Sequence, residues 1–444
     1  MNITDFFKND FCDYSAYDNY RKIACFVDGL KPSARKVIHT VLENKDKHPV
    51  KVSQYQSLIS QKTNYIHGEQ SLFGVIVGLA QDFVGSNNIP LLKREGNFGS
   101  RLIQEPSAGR YIYTCQEPIL DKIFNPMDNA VLVGQEFEGD VIEPRFFVPC
   151  IPLILVNGSR GISTGFSQLI LPRNIEDIVR YIKNSLEGKG TRTKMLPHFN
   201  GFKGTVVQMS ENSFEIRGVV EVVNTSTIRI TELPPEFDLA TYVDHLNKLE
   251  DAGEIVSYSD LSNDDVFRFD VKMERKRLAE LTAEPDRLND MFKLTRKITE
   301  NYTVLDDNLK IRTFDSAFDL LDAYIDIRKE FYRKRKEHHM KVFRDDLLLL
   351  ISRYEFINGV VTDKIKVSKV AHDDIIKQLE KNKNIIRKDG SYEYLLQMPI
   401  HSLTKEKLTS LLETIKDGRN RMKEFGEMSI EQMWNADLRQ MSRQ

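Results

Sequence analysis

The chain has 444 residues, enough for about two to four domains with a sizeable core in at least one. Its 63 Lys and Arg against 65 Asp and Glu leave a net charge of −2, which excludes a wholly basic nucleic-acid coat but not a local basic groove. No apolar run approaches the roughly 18 residues of a membrane span, and Cys12, Cys25, Cys115 and Cys150 lack metal-ligand or redox spacing. No metal site is expected at the cysteines, which suit packing in a reducing compartment. The opening MNITDFFKND has no apolar core, so a signal peptide is not expected.

Asp28-Gly29-Leu30-Lys31-Pro32 predicts a turn into a helix over 33–44, with Pro32 suited to the first turn and Arg35 and Lys36 near its start. A polar break over 45–50 precedes a second helix near 53–62. A third carries Leu72, Ile76, Leu79 and Phe83 on one face. Two short helices across a tight break suit a helix-turn-helix. His67, ahead of the third helix, reads by itself as a hydrogen-bonded structural residue. It gains a functional reading if Arg21, Lys31, Arg35 and Tyr111 converge on it. Gly96 and Gly99 let a backbone approach something closely, and Arg101 and Arg110 flank the stretch that ends in Tyr111. Taken alone, Tyr111 is one aromatic in an alternating strand. A phenol, with an unperturbed pKa of about 10, becomes a usable nucleophile beside guanidinium groups and a phosphate. If Arg110 and Tyr111 are extended they point to opposite faces, and charge must reach the phenol from elsewhere or the backbone must turn.

On a strand Glu136, Glu138 and Asp140 would share a face on which a metal site is conceivable, although a solvated acidic loop before Pro144 is the simpler account. The run Phe147–Val156 reads as a buried strand broken by prolines. Asn157–Gly165 reads as tight turns in which Arg160 could meet a phosphate. A helix over 174–186, strands over 204–209, 213–216, 218–223 and 227–231, a helix over 241–249 and a strand over 266–273 predict a mixed α/β region. Gly188-Lys189-Gly190-Thr191 lacks the upstream glycine of a phosphate loop and reads as a surface turn. Arg275, Lys276 and Arg277 read as a solvated helix face. From Phe314 the pattern is helical, with a stripe at Leu320, Tyr324, Ile327 and Phe331 that Arg335 and His338 interrupt. A second long helix spans 404–425, and Ser429 to Gln432 has capping-box form before Trp434 and Leu438. Between the long helices, Tyr392–Met398 forms an apolar patch suited to an intersubunit contact, with Tyr394 in a packing role.

Five stretches follow one another in order: Val27-Asp28-Gly29-Leu30-Lys31-Pro32 with Arg35-Lys36-Val37, His67-Gly68-Glu69-Gln70-Ser71-Leu72, Gly78 to Asn88, Gly96-Asn97-Phe98-Gly99-Ser100-Arg101, and Arg110-Tyr111-Ile112-Tyr113-Thr114. None is specific alone. Together they resemble the breakage-reunion region of type IIA DNA topoisomerases, in wording nearer the eukaryotic and viral enzymes. Tyr392–Glu406 resembles the exit-gate dimer interface of the same family. The resemblance implies an α+β multidomain fold. Its parts would be a winged-helix cleavage domain over 1–135, a wedge loop and α/β tower over 136–310, and coiled-coil helices with a small dimerisation domain over 311–444.

By the same resemblance, Tyr111 is the nucleophile that becomes linked to a DNA 5′ end, and Arg110 stabilises the transition state. Arg21, Lys31, Arg35 and His67 hold DNA or the scissile phosphate. Lys36, Arg101 and Arg160 are expected on the same DNA-facing surface. Ile162, in Gly161-Ile162-Ser163-Thr164-Gly165, matches the wedge that bends DNA. A DNA-contacting tryptophan of the eukaryotic relatives is replaced here by Phe237-Asp238. Neither an Asp-x-Asp pair nor the Glu-Gly-Asp-Ser-Ala signature of a TOPRIM domain occurs, and no ATPase glycine motif stands out. The chain therefore resembles the separate cleavage subunit of a split enzyme, similar to the medium subunit of some bacteriophage topoisomerases. That implies a homodimer on double-stranded DNA, with Mg2+ and ATP held by one or more partner chains. The expected setting is intracellular, in the host cytoplasm for a viral source. Two rival readings are a non-catalytic winged-helix scaffold and a tyrosine recombinase-like enzyme. The latter would need a different Arg/His/Arg arrangement on helices.

Overall fold

The computed structural model describes residues 2–44, 47–190, 192–263 and 266–441. Of the predicted polar break, Lys45 and Asp46 lie outside the described residues, as does Thr191 of the predicted surface turn. The chain forms two compact units: residues 1–328 with 437–444, and residues 329–436. They part inside a long helix rather than at 310/311.

The first unit opens with helices Ile3–Lys8 and Asp10–Lys22, then packs helices Pro32–Glu43, Val52–Thr63 and Glu69–Ala80 against one another. Pro32 occupies the first turn, where its missing N–H costs nothing. Asn64 closes the second of the three in a left-handed conformation, with φ 47°. Val37, Ile38, Ile59, Leu72 and Ile76 are buried. A three-stranded antiparallel sheet completes this winged helix, in the order Val50–Lys51, Tyr113–Gln116, Leu92–Glu95. The helix expected to reach Phe83 stops at Ala80.

The prolines of Phe147–Val156 remove the N–H donors that a strand needs. The run is instead irregular until Leu153–Val156 makes one buried helical turn. Asn157–Gly165 is not a set of isolated turns, because Ser159–Ser163 and Phe166–Ile170 form a hairpin with Ile162 opposite Ser167. Glu136, Glu138 and Asp140 do not share one strand. Gln135–Phe137 and Asp140–Ile142 are paired, and Glu138 and Gly139 turn between them with positive φ.

The mixed α/β region contains two sheets. One is three-stranded, in the order Thr295–Thr299, Ser213–Arg217, Thr205–Ser210. The other is four-stranded, in the order Val219–Asn224, Thr227–Glu232, Phe269–Lys272, Ser257–Asp260. Alternation in Thr227–Glu232 turns Ile228 and Ile230 into a core shared with Tyr242, Leu246 and Phe269. The buried Arg173–Glu300 pair, 2.6 Å, ties the segment before helix Ile175–Leu186 to the end of the strand Thr295–Thr299.

Helix Ala317–Val361 begins in the first unit and continues into the second. Within the second unit it runs antiparallel to Lys405–Glu427: Phe343 meets Phe425 at 5.3 Å, and Leu347 reaches Gly418. Arg335 does not break the apolar stripe. It is 2% exposed and lies over the Tyr332 ring at 4.4 Å, so its flat guanidinium packs as an aromatic would. Ser429 and Gln432 bond reciprocally, as a capping box requires. Tyr392 and Leu395 are buried in a local core with Phe356, Ile357 and Leu411, and the Tyr394 hydroxyl donates to the Ile386 carbonyl at 2.7 Å. Most of the apolar side chains between the long helices thus serve their own unit. Among the described residues, no helix is long and apolar enough to cross a membrane.

Candidate active site

Arg110 and Tyr111 lie in a turn over 109–111, immediately before the strand Tyr113–Gln116. The backbone bends here, so the two side chains share a face: the Arg110 guanidinium carbon sits 4.9 Å from the centre of the Tyr111 ring. Tyr111 is 65% exposed. Its neighbours are anchored at the N-terminus of helix Val52–Thr63, where the Ser53 N–H donates to the Gly109 carbonyl at 3.1 Å and the Val52 N–H to the Ile112 carbonyl at 3.0 Å. Two N–H groups that a helix start leaves unpaired thereby fix the turn from both sides.

The glycines upstream shape this loop rather than a ligand contact. A Cβ on Gly96 would meet Ile112 Cγ2 at 3.1 Å, and one on Gly99 would lie 2.4 Å from the Gln104 carbonyl oxygen. Both have positive φ, so the segment folds back along the tyrosine turn.

A cationic groove of about 590 Å3 lies on the same unit, with Arg21, Lys22, Lys31 and Arg160 on its walls. Lys31 Nζ donates to the Arg160 carbonyl at 2.8 Å, and burial holds its pKa below the usual lysine value. Arg21 and Ser33 also line an adjoining groove that contains Tyr17, Lys36, Tyr65 and His67. There Tyr17 links two expected residues. Its hydroxyl is 3.2 Å from His67 Nε2, and the Arg21 guanidinium lies over its ring at 5.7 Å. Burial, then the charges of Arg21 and Lys36, hold the His67 pKa below its ordinary value. Of the four residues expected to converge on His67, Arg21 does so; Tyr111 lines neither groove.

Ile162 is 68% exposed near the tip of its hairpin. That hairpin is fixed to helix Asp10–Lys22. Thr164 donates to Asp18 through its N–H and hydroxyl, both at 2.9 Å, and the Ser163 hydroxyl donates to Asn19 Oδ1 at 2.6 Å. Tyr17, Asp18 and Asn19 were missed in the sequence because their helix buries little apolar surface. Its local signal is the charge arrangement along the helix, with Asp10 and Asp13 in the first turn and Arg21 and Lys22 in the last.

Two expected DNA contacts are instead parts of the scaffold. Arg35 is 1% exposed and bonds Asp28 through Nε at 2.7 Å and Nη2 at 3.2 Å, while Nη2 also reaches the Leu30 carbonyl. Arg101 is 2% exposed, and its guanidinium collects the carbonyls of Leu233, Pro234, Pro235 and Phe237. Neither presents its charge at the surface, because each satisfies buried acceptors that would otherwise be unpaired. Lys36 is also engaged internally, donating to the Thr63 carbonyl at 2.6 Å and to Glu143 at 2.9 Å. Phe237 packs on the core of the four-stranded sheet, 5.5 Å from Tyr242. Among the described residues, no group of three or more His, Cys, Asp or Glu is placed to hold a metal ion.

A family model for the A-type chain of DNA gyrase/topoisomerase IV matches residues 21–439. The chain is 31% identical over 446 residues to the mitochondrial DNA topoisomerase 2 of Dictyostelium discoideum, covering 98% of this chain and 35% of that protein. It is 31% identical over 482 residues to human DNA topoisomerase 2-alpha, covering 99% of this chain and 31% of that one. It thus spans about a third of the length of these relatives. The solved DNA-binding, cleavage and re-ligation domain of Plasmodium falciparum topoisomerase II is similar with a TM-score of 0.88. The identity is 31%, over 99% of this chain and 64% of that one.

Proposed function

The chain belongs to the family of DNA gyrase/topoisomerase IV A-type chains, and on that premise we propose that it cuts and rejoins duplex DNA as the cleavage part of a type IIA topoisomerase. The observation that carries this reading is an exposed phenol on an anchored turn with a guanidinium over its ring. The Tyr111 oxygen attacks a backbone phosphorus; a P–O bond to tyrosine forms as the bond to the 3′ oxygen breaks. The phenolic proton leaves and the released 3′ oxygen gains one, leaving a 5′-phosphotyrosine link and a 3′ hydroxyl. One phosphodiester has replaced another, so resealing is the same exchange in reverse and needs no external energy. Negative charge concentrates on the five-coordinate phosphorus, and Arg110 is positioned to offset it.

Arg21, Lys31 and Arg160 are assigned to the DNA backbone, His67 to a phosphate beside them, and Ile162 to a wedge that unstacks a base step. Mg2+, where bound, supplies further charge neutralisation at the phosphate. This chain's described residues offer no cluster suited to it. We assign Mg2+ and ATP to TOPRIM and ATPase parts on a separate partner chain or chains. Two copies of this chain would cut one strand each, dimerising through the second unit, so that a second duplex can pass.

The test is a cleavage assay with supercoiled plasmid and Mg2+, with and without an ATPase/TOPRIM partner, quenched in detergent. Protein-linked linear DNA is expected only with the partner, with the label on the peptide containing Tyr111. Tyr111→Phe should abolish the adduct while changing DNA affinity by less than about twofold. Adducts persisting in that variant would overturn the assignment. Tight binding without adducts in any combination would make the chain a non-catalytic winged-helix scaffold.

A further inference from the structure

The groove holding Arg21, Lys31 and Arg160 does not end at Arg160. That residue also lines a second groove of about 310 Å3, shared along Asn87 and Asn157–Ser159, which continues to Glu236 and Arg296. Glu236 bridges two arginines from different elements. One carboxylate oxygen lies 3.8 Å from Arg160 Nη1, on the wedge hairpin, and the other pairs with Arg296 Nη1, on the strand Thr295–Thr299. All three side chains are substantially exposed, at 65, 46 and 36%.

The loop that presents Glu236 is tightly held. Buried Arg101 grips the carbonyls of Leu233, Pro234, Pro235 and Phe237, and the Gly85 backbone is so close that a Cβ there would meet the Pro235 carbonyl oxygen at 2.7 Å. Glu236 is thus a carboxylate on a fixed backbone, set between two arginines on a solvent-facing wall. A phosphodiester presents the same two-pronged acceptor as a carboxylate, and arginine forks suit both.

We propose that Arg160 and Arg296 form a DNA-phosphate site, with Glu236 as its resident stand-in when DNA is absent. A backbone phosphate displaces the Glu236 carboxylate and takes both arginines, so Arg296 extends the phosphate track past the wedge hairpin. This rests on the DNA-binding reading of the Arg21–Lys31–Arg160 groove.

The test is equilibrium binding of the full chain to a short duplex in EDTA across a salt series. Each lost phosphate contact lowers the slope of log affinity against log salt by about 0.9. Arg296→Gln and Arg160→Gln should each lower it by about one contact, Arg296→Lys should retain it, and Glu236→Gln should tighten binding about two- to fivefold. An unchanged slope in folded Arg296→Gln, with a lowered slope in Arg160→Gln, overturns the Arg296 assignment and leaves the DNA-groove reading standing. Weaker binding in Glu236→Gln overturns the stand-in role, since the carboxylate would then be positioning the arginines. No binding by the unaltered chain overturns both readings.

Discussion

Arg35 gives the sharpest separation between scaffold and DNA contact. Its partner Asp28 is fully buried and accepts four bonds: Arg35 Nε at 2.7 Å, Arg35 Nη2 at 3.2 Å, the Leu30 N–H at 3.0 Å and the Phe147 N–H at 3.1 Å. Burial opposes the charge on Arg35, but Asp28 more than offsets this and holds its pKa above the ordinary value. Replacing Arg35 by Met removes two charge-assisted bonds and leaves a buried carboxylate with backbone donors alone. At about 1.5–3 kcal/mol for each bond the loss is about 3–6 kcal/mol, matching the about 3–5 kcal/mol cost of breaking a buried pair from one side. With a urea slope near 3 kcal/mol per molar, the unfolding midpoint followed by far-UV circular dichroism should fall by about 1–2 M. DNA affinity, measured well below that midpoint, should change less than about threefold. An unchanged midpoint with affinity down tenfold or more would refute the buried-scaffold account.

His67 carries a depressed pKa in the free protein, and a nearby phosphate would raise it, so DNA binding should take up a proton. Affinity at constant ionic strength should therefore rise as pH falls from about 8 to about 5.5, and His67→Asn should flatten the profile; a flat profile in the unaltered chain would remove His67 from the phosphate. Ile162→Ala should reduce DNA bending, read by energy transfer across an end-labelled duplex, while weakening affinity less than about tenfold; an unchanged bend would exclude the wedge. Gly161→Ala places a methyl 2.3 Å from the Lys22 carbonyl oxygen and should push the hairpin off its helix, lowering both bending and cleavage at a stability cost of about 1–3 kcal/mol.

The fold was most legible where local chemistry decides it. Pro32 marks a helix start because its missing N–H would have no partner in the first turn, and Asn174, and Ser429 with Gln432, do so because a cap is satisfied within a few residues. The Ile228/Ile230 alternation marks a strand because one face is covered. What was not legible depends on partners far along the chain. Arg35 and Arg101 look like surface charges because a basic side chain carries no sign of its own burial. The clue at Arg35 is Asp28, seven residues earlier in the same motif; Arg101 instead serves carbonyls more than 130 residues away. Gly96 and Gly99 announce a close approach without saying to what, and the answer is the same loop: the Ile112 side chain for Gly96 and the Gln104 carbonyl for Gly99. Alternation around Tyr111 could not distinguish a strand from a turn, since the deciding bonds come from the Val52 and Ser53 N–H groups about 60 residues upstream.

The placement of these groups suggests how binding and attack are coupled. Helix Asp10–Lys22 supplies Arg21 to the cationic groove, Tyr17 to His67, and Asp18 and Asn19 to the hairpin that carries Ile162. The residues proposed for phosphate grip and for the wedge are therefore registered to one element, with Gly161 packed against the Lys22 carbonyl at a distance no side chain tolerates. Tyr111 belongs to a different support, the start of helix Val52–Thr63, and lines neither groove. A straight duplex held in the groove has no built-in reason to present a phosphorus to the phenol. On the proposed reading, a kink driven by Ile162 would change the path of the backbone relative to that fixed turn, so bending would be the step that delivers the scissile phosphate. On this account Gly161→Ala and Ile162→Ala should lower cleavage more than binding, whereas Tyr111→Phe should remove the chemistry alone, because the proposed wedge and the proposed nucleophile are held by separate elements.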